Sequence, residues 1–375
     1  MAFAGAGGVV RKFDLLLNQM VARPRFQDWA AQKPIMRWFA RRDGARLFDL
    51  VQGFVRAQAL FALVDLDIPR RLMEAPATAA TLAWSCDIEP RKMELLLRSG
   101  VAIGILRERR DGNFTLTRQG AALCGVPGLQ DMILHHGAFY RDLGDPVALL
   151  RGKVETELAD FWPYVLGGGG SVDPEVSATY SRLMAETQTM VAKDTLQMVS
   201  LAGVSRLLDV GGGTGAFLFE VARAYPQMKL ALLDLPHVAD QAVDRAEAAG
   251  LSERIAIHRG SFLEADLPKE IDAVSLIRVL YDHDDETVRA LLGRVFDALP
   301  SGGGLIISEP MSGGRCADPV TDVYFAFYTL AMRTGQVRSA ERISELLRGA
   351  GFCEISNFKP PRPYVTAAVT AVKRA

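Results

Sequence analysis

The sequence predicts an α/β fold: a doubly wound, mostly parallel sheet with an antiparallel last strand, preceded by a mainly helical, winged-helix-like unit. Three observations carry this. From residue 203 short apolar strands alternate with helical stretches, the pattern of a parallel sheet covered on both faces. A glycine-rich turn (Gly211, Gly213, Gly215) closes the first of those strands and opens a helix. Before residue 120, several helices lead into a hairpin around Asp111 and Gly112.

Length and composition narrow the function. A chain of 375 residues, 49% hydrophobic and 23% charged, has volume for two or three domains. A net charge of −1 gives no global footprint for nucleic acid. Cys86, Cys124, Cys316 and Cys353 are scattered without a CxxC or a metal-ligand spacing, which fits a reducing compartment and no metal site. No apolar run reaches the ~18–20 residues of a membrane span. The N-terminus places its basic residues after a short apolar run, the reverse of a secretory signal, so a cytoplasmic protein is expected.

Residues 1–46 form a basic, aromatic arm, with nine basic residues against three acids, interleaved with Phe26, Trp29, Trp38 and Phe39. Such a segment suits an anionic membrane surface, or packing on the body or on a second subunit. Residues 47–125 form the winged-helix-like unit. There Leu47, Leu50, Phe54, Ala57 and Phe61 share one helical face, and Pro90 sits just inside the start of the next long helix. Residues 126–200 read as a helical connection broken by "LGGGGSVDP" at 166–174. Residues 201–375 form the sheet domain. Its last two strands, "FCEISNF" and "YVTAAVTAV", are joined by a link too short for a crossover helix, so they should pair antiparallel.

The glycine turn in "LLDVGGGTGAF" lets a ligand approach the backbone above a helix N-terminus, at the carboxyl edge of the sheet. Asp234 ends the next strand, where a carboxylate can accept both hydroxyls of a ribose. The turn also fits the dinucleotide pattern G-x-G-x-x-A with Ala216, so a nicotinamide enzyme is the alternative. The G-x-G-x-G spacing, Asp209 two residues before the first glycine, and "LPSGGGLIISEP" at 299–310 favour S-adenosylmethionine instead.

With these segments in order, the chain resembles the S-adenosylmethionine-dependent O-methyltransferases of the caffeic-acid type, over nearly its whole length. That resemblance implies a class I methyltransferase domain, an N-terminal dimerisation domain and hence a homodimer. It implies that Gly211, Gly213 and Gly215 hold the methionine part, that Asp234 with Leu235 holds the ribose, and that Ser261 and Phe262 flank the adenine. Ser261 replaces the family's usual aspartate. In "RVLYDHDDE" (278–286) Tyr281 stands at the position of the family's histidine base, and His283 at that of a tryptophan. Glu309 matches a glutamate that orients the absent histidine, and the second such glutamate falls near Val337. Asp284, Asp285 and Glu286 read as a helix start. Tyr281, His283 and Glu309 are thus the candidate catalytic residues. A tyrosine with a pKa of ~10 is a poor base, so the deprotonation step is altered, absent or carried by other groups.

A narrower resemblance, carried by "HHGAFYRDLGDPVALLRG" (135–152), "FWPYV" (161–165), "RVLYDHDD" and "DVYFAFYTLAM" (322–332), is to the carotenoid hydroxyl methyltransferases of photosynthetic bacteria. It implies methylation of the tertiary C-1 hydroxyl of an acyclic carotenoid such as demethylspheroidene or hydroxyneurosporene. With it, His135, His136, Tyr140 and Asp142 are expected near the acceptor hydroxyl and Tyr324, Phe325 and Tyr328 along the polyene, with peripheral membrane contact through the basic arm. Three alternatives stand beside it: a bacteriochlorophyll-ring C-methyltransferase, another small-molecule O-methyltransferase, and a winged-helix DNA-binding sensor whose recognition helix would be "EPRKMELLLRSGVAIG". That helix balances Arg91, Lys92 and Arg98 with Glu89 and Glu94, and suits a subunit interface better than a phosphate backbone.

Overall fold

A computed structural model describes residues 6–160 and 187–374. The glycine-rich link at 166–174 and "FWPYV" lie outside the described residues. The chain forms two compact units, one up to Ala122 and one from Leu123.

The first unit begins with α1 (Ala6–Val21), α2 (Pro24–Gln32) and α3 (Pro34–Asp65), the last two with proline in the first turn, where a missing N–H costs nothing. Helix α3 runs through residues 46 and 47 without a break, although arm and unit were expected to part there. It is also long and apolar enough to cross a membrane by length and composition. The sequence reading missed this because Asp49 and Arg56 interrupt the apolar run. The C-terminal end of α3, with Leu63 and Val64, is buried. The face expected from Leu47, Leu50 and Phe54 is helical but points to solvent, with Leu50 79% exposed.

Beyond α3, helices α4 (Ile68–Glu74), α5 (Ala79–Ser85) and α6 (Pro90–Ala102) close on a core that includes Leu63, Ile68, Leu82, Met93 and Leu97. Strands β1 (Ala77–Thr78), β2 (Leu106–Glu108) and β3 (Asn113–Leu116) form a small antiparallel sheet in the order β1-β3-β2. Its turn has Gly112 at φ +78°, while the Asn113 N–H donates to Asp111 Oδ1 at 3.1 Å. This is the expected helices-plus-wing arrangement. Helix α7 (Arg118–Gly125) spans the division between the units.

The second unit opens with α8 (Leu129–Asp142), α9 (Pro146–Leu150), α10 (Glu157–Asp160) and α11, a helix over 187–198. Seven strands follow: β4 (Arg206–Val210), β5 (Lys229–Asp234), β6 (Ile255–Arg259), β7 (Ala273–Ile277), β8 (Gly304–Glu309), β9 (Cys353–Phe358) and β10 (Ala367–Val372). Their order is β6-β5-β4-β7-β8-β10-β9. The first five are parallel, and β10 lies antiparallel to both its neighbours. One face of the sheet packs on α11, α12 (Ala216–Ala224) and α13 (Pro236–Ala248) through Val191, Leu218, Val221 and Ala242. The other packs on α14 (Asp285–Ala298) and α16 (Ala340–Gly349) through Val288, Leu292, Ile343 and Leu347. A π-helical turn (Thr321–Phe325) continues into α15 (Ala326–Met332) and, with α8 and α10, makes a separate apolar cluster. The carboxyl ends of β4, β5, β7 and β8 therefore face one edge, where ligands bind in open α/β sheets.

Candidate active site

The turn after β4 is built for close approach. Gly211 and Gly213 take φ of +67° and +58°, and a Cβ on Gly211 would meet Val279 Cγ2 at 2.8 Å. A Cβ on Gly212 would meet Asp209 Oδ2 at 2.7 Å. The Gly213 N–H donates to Asp234 Oδ2 and the Leu235 N–H to Asp234 Oδ1, both at 2.7 Å. Burial raises the Asp234 pKa while these two N–H groups lower it. Each of its oxygens keeps a second lone pair for a ribose hydroxyl.

Behind the turn, Asp209 is fully buried. It accepts from Ser275 Oγ at 2.6 Å on one oxygen and has no partner on the other, and burial pushes its pKa up to about 7. On the far side, Phe262 meets the edge of His283 with ring centres 5.2 Å apart. His283 is thus turned inward, not left as a surface histidine, and burial drops its pKa to about 4. Ser261 Oγ accepts from the Leu263 N–H at 3.2 Å, so it shapes its own loop.

A second wall comes from elements nearly two hundred residues apart in sequence. His136 Nε2 pairs with Tyr324 OH at 2.7 Å, and His135 Nε2 with Tyr328 OH at 2.9 Å. Tyr324 and Tyr328 stack with ring centres 5.9 Å apart, and Phe139, Tyr140 and Phe325 add edge contacts to the cluster. Burial lowers both histidine pKa values to about 4, so both rings are neutral at physiological pH. Burial likewise raises the tyrosine pKa values, which keeps the phenols protonated. Six of the residues expected around the acceptor come together as an apolar surface with neutral hydrogen-bonding groups, whereas Asp142 is taken up by the start of α10, accepting the Glu157 N–H at 2.7 Å and the Leu158 N–H at 3.0 Å.

The two walls meet at the turn after β7. Arg278 sits at φ +57°, an uncommon conformation for a residue with a side chain, and a 3-10 turn (Leu280–Asp282) follows. Tyr281 is buried, and its pKa is raised first by burial and also by the charges of Asp282 and Glu309. Glu309, wholly buried at the end of β8, accepts the Tyr281 N–H on Oε2 at 3.1 Å. Burial lifts its pKa to about 7. Among the described residues, Glu309 Oε1, Asp282 Oδ1 and Arg278 Nε are buried without a partner. Tyr281 and Glu309 are therefore joined through the backbone, while His283 belongs to the Phe262 side.

The acidic run does more than start a helix. Asp284 caps α14 by accepting the Thr287 N–H at 2.8 Å. Asp285, however, pairs with Arg338 at 2.7 Å and Arg342 at 2.6 Å, because the chain returns beside it after α15. Sequence reading also passed over Arg278, Asp282 and Arg338. Asp282 was hidden among similar acids, and nothing local marks Arg338, beside Val337, as buried.

Residues 140–353 match the O-methyltransferase domain, and residues 48–125 the O-methyltransferase dimerisation domain. The chain belongs to the O-methyltransferase family. Demethylspheroidene O-methyltransferase of Cereibacter sphaeroides is 55% identical over 93% of this chain and 92% of its own length. The enzyme of the same name from Rhodobacter capsulatus is 45% identical over 90% of this chain and 84% of its own. Human N-acetylserotonin methyltransferase, solved with S-adenosylmethionine, has the same fold, with a TM-score of 0.74 at 24% identity covering 89% of this chain and 98% of that one. The chain is thus an O-methyltransferase with S-adenosylmethionine as methyl donor, and its dimerisation domain supports a homodimer. The glycine cradle, the paired oxygens of Asp234 and the Phe262–His283 edge fit that cofactor. The nicotinamide and DNA-sensor alternatives fall with this assignment.

Proposed function

We propose that this O-methyltransferase methylates the tertiary C-1 hydroxyl of an acyclic carotenoid, converting demethylspheroidene to spheroidene or hydroxyneurosporene to methoxyneurosporene. The observation that carries the reading is the neutral pair of His–Tyr contacts set in an aromatic wall. An alcohol bound there meets hydrogen-bonding partners without a charge; its O–CH₃ bond would form as the donor's S–CH₃ bond breaks, leaving a neutral thioether, and its proton would pass to water. The names of the two bacterial relatives point the same way.

In this reading Gly211, Gly213 and Gly215 hold the methionine part of the donor, Asp234 and Leu235 its ribose, and Ser261 and Phe262 its adenine. His283 joins that adenine wall and is not the base. Tyr281 lines the acceptor side and Glu309 holds its turn. Incubation with methyl-labelled S-adenosylmethionine and demethylspheroidene, a simple phenol or a bacteriochlorophyll precursor tests the assignment. Label is expected in the carotenoid ether. Label only in the phenol or the tetrapyrrole would sink it.

The basic, aromatic arm supports peripheral contact of a cytoplasmic enzyme with the membrane that dissolves such a substrate. Ile35 and Trp38 are 77% and 58% exposed, and Arg42 lies over the Trp38 and Phe39 rings. The protein should sediment with phosphatidylglycerol-containing vesicles and not with pure phosphatidylcholine at moderate salt. Equal recovery with both would remove the role of the basic residues, and recovery with neither would remove the contact.

A further inference from the structure

The turn that carries Tyr281, Asp282 and His283 is held from two sides. From β8 comes the Glu309 carboxylate on the Tyr281 N–H. From the other side comes the segment between α15 and α16. There the Gln336 N–H donates to Tyr281 O at 2.8 Å, and Gly335 packs so closely that a Cβ would lie 2.2 Å from that same oxygen.

Arg338 completes the grip. Its side chain is fully buried, with Nη1 donating to Leu280 O at 2.8 Å and to Gln336 O at 2.9 Å, and Nη2 donating to His283 O at 2.8 Å. Its Nε donates to Asp285 at 2.7 Å, and its own carbonyl accepts the Ser312 N–H at 3.0 Å. One guanidinium thus spans both ends of the turn, Leu280 and His283, and the start of α14.

A buried cation is costly, and one carboxylate partner that is itself partly exposed repays only part of that cost. A planar fork of donors is the side chain able to satisfy several carbonyls in different directions at once, which a lysine cannot do. We propose that Arg338 is a positioning residue for methyl transfer: it fixes the turn so that the acceptor wall and the cofactor wall keep their in-line spacing. In-line displacement is sensitive to such spacing, and a shift of about 1 Å can cost ~10²-fold in rate.

Two variants test this in the full-length enzyme. Arg338→Lys keeps the charge and loses the fork, while Gly335→Ala pushes on Tyr281 O and leaves every charge in place. For both, kcat with demethylspheroidene is expected to fall at least ~10-fold, with S-adenosylmethionine affinity within about threefold of wild type. Backbone amides of 278–286 should exchange with deuterium faster, while those of 273–277 keep wild-type rates. Glu309 faces Arg338 and Arg278 as cations and Tyr281 and Asp282 as neighbours on the turn, so a third variant, Arg338→Met, should move any rate inflection near pH 7 upward. A general loss of stability, with cofactor affinity, kcat and exchange in 273–277 all worsening together, would overturn the proposal. So would faster exchange in 278–286 without a change in kcat. If wild-type enzyme transfers no methyl to demethylspheroidene, the substrate assignment fails by itself. Unchanged exchange in 278–286 for Arg338→Lys would then overturn the brace independently.

Discussion

Asp234→Ala is expected to weaken binding of S-adenosylmethionine and of its demethylated product by about 10²-fold. Two effects add. The carboxylate that would accept the ribose hydroxyls is removed, and the Gly213 and Leu235 N–H groups it now holds at 2.7 Å are left to find other partners. Hydrogen bonds to a charged group are worth roughly 1.5–3 kcal/mol, and each ~1.4 kcal/mol is a factor of ten in affinity. The residue is half-buried at the end of β5, so the strand itself should survive the change. Titration calorimetry with the demethylated product reads the effect directly. Wild-type affinity in the variant would mean that the ribose is held elsewhere.

Glu309→Gln is expected to lower turnover by about tenfold or more, with cofactor affinity little changed. Glutamine keeps an oxygen for the Tyr281 N–H, so the turn stays near its place, and what is lost is the charge. Burial raises the glutamate pKa from 4.5 to about 7, opposed by the nearby Arg338 charge and by the N–H groups of Tyr281 and Leu280. The carboxylate is therefore ionised only above about pH 7. A wild-type rate that climbs through that range and a variant rate that stays flat would identify the charge as the active form. Stability runs the other way. Because the folded-state pKa is raised, this group's contribution is complete below pH 4.5 and is lost as pH rises through about 7. The variant should therefore melt higher, relative to wild type, at pH 8 than at pH 5. Equal turnover in the two proteins would take Glu309 out of the mechanism.

Much of the strand-and-turn geometry around Gly211 and Asp234 was legible in the sequence because its signals are local. Apolar strands, a glycine turn and an acid at the next strand end each announce their own backbone geometry within a few residues. The antiparallel pairing of β9 and β10 was legible for the same reason, since the short "KPPRP" link leaves no room for a crossover. The His–Tyr wall was legible in composition only. His135, His136, Tyr324 and Tyr328 could be named, but their pairing depends on α8 and α15 packing together across the fold. The role of Arg338 was not legible at all. An arginine beside a serine helix cap reads as a solvated flank, and its burial arises only when the chain returns beneath residues 280–285. Asp285 starts α14 as read, but its ion pairs were hidden for the mirror-image reason, because its partners come from that same returning segment.

Strand β10 lies between β8 and β9, so β8, which ends in Glu309, borders one of the latest strands in chain order. During synthesis, β8 therefore gains its second neighbour only after residues 367–372 have left the ribosome, long after β4 and β5 can pair. The half of the sheet beneath the glycine turn can be in register while the edge that ends in Glu309 is still open.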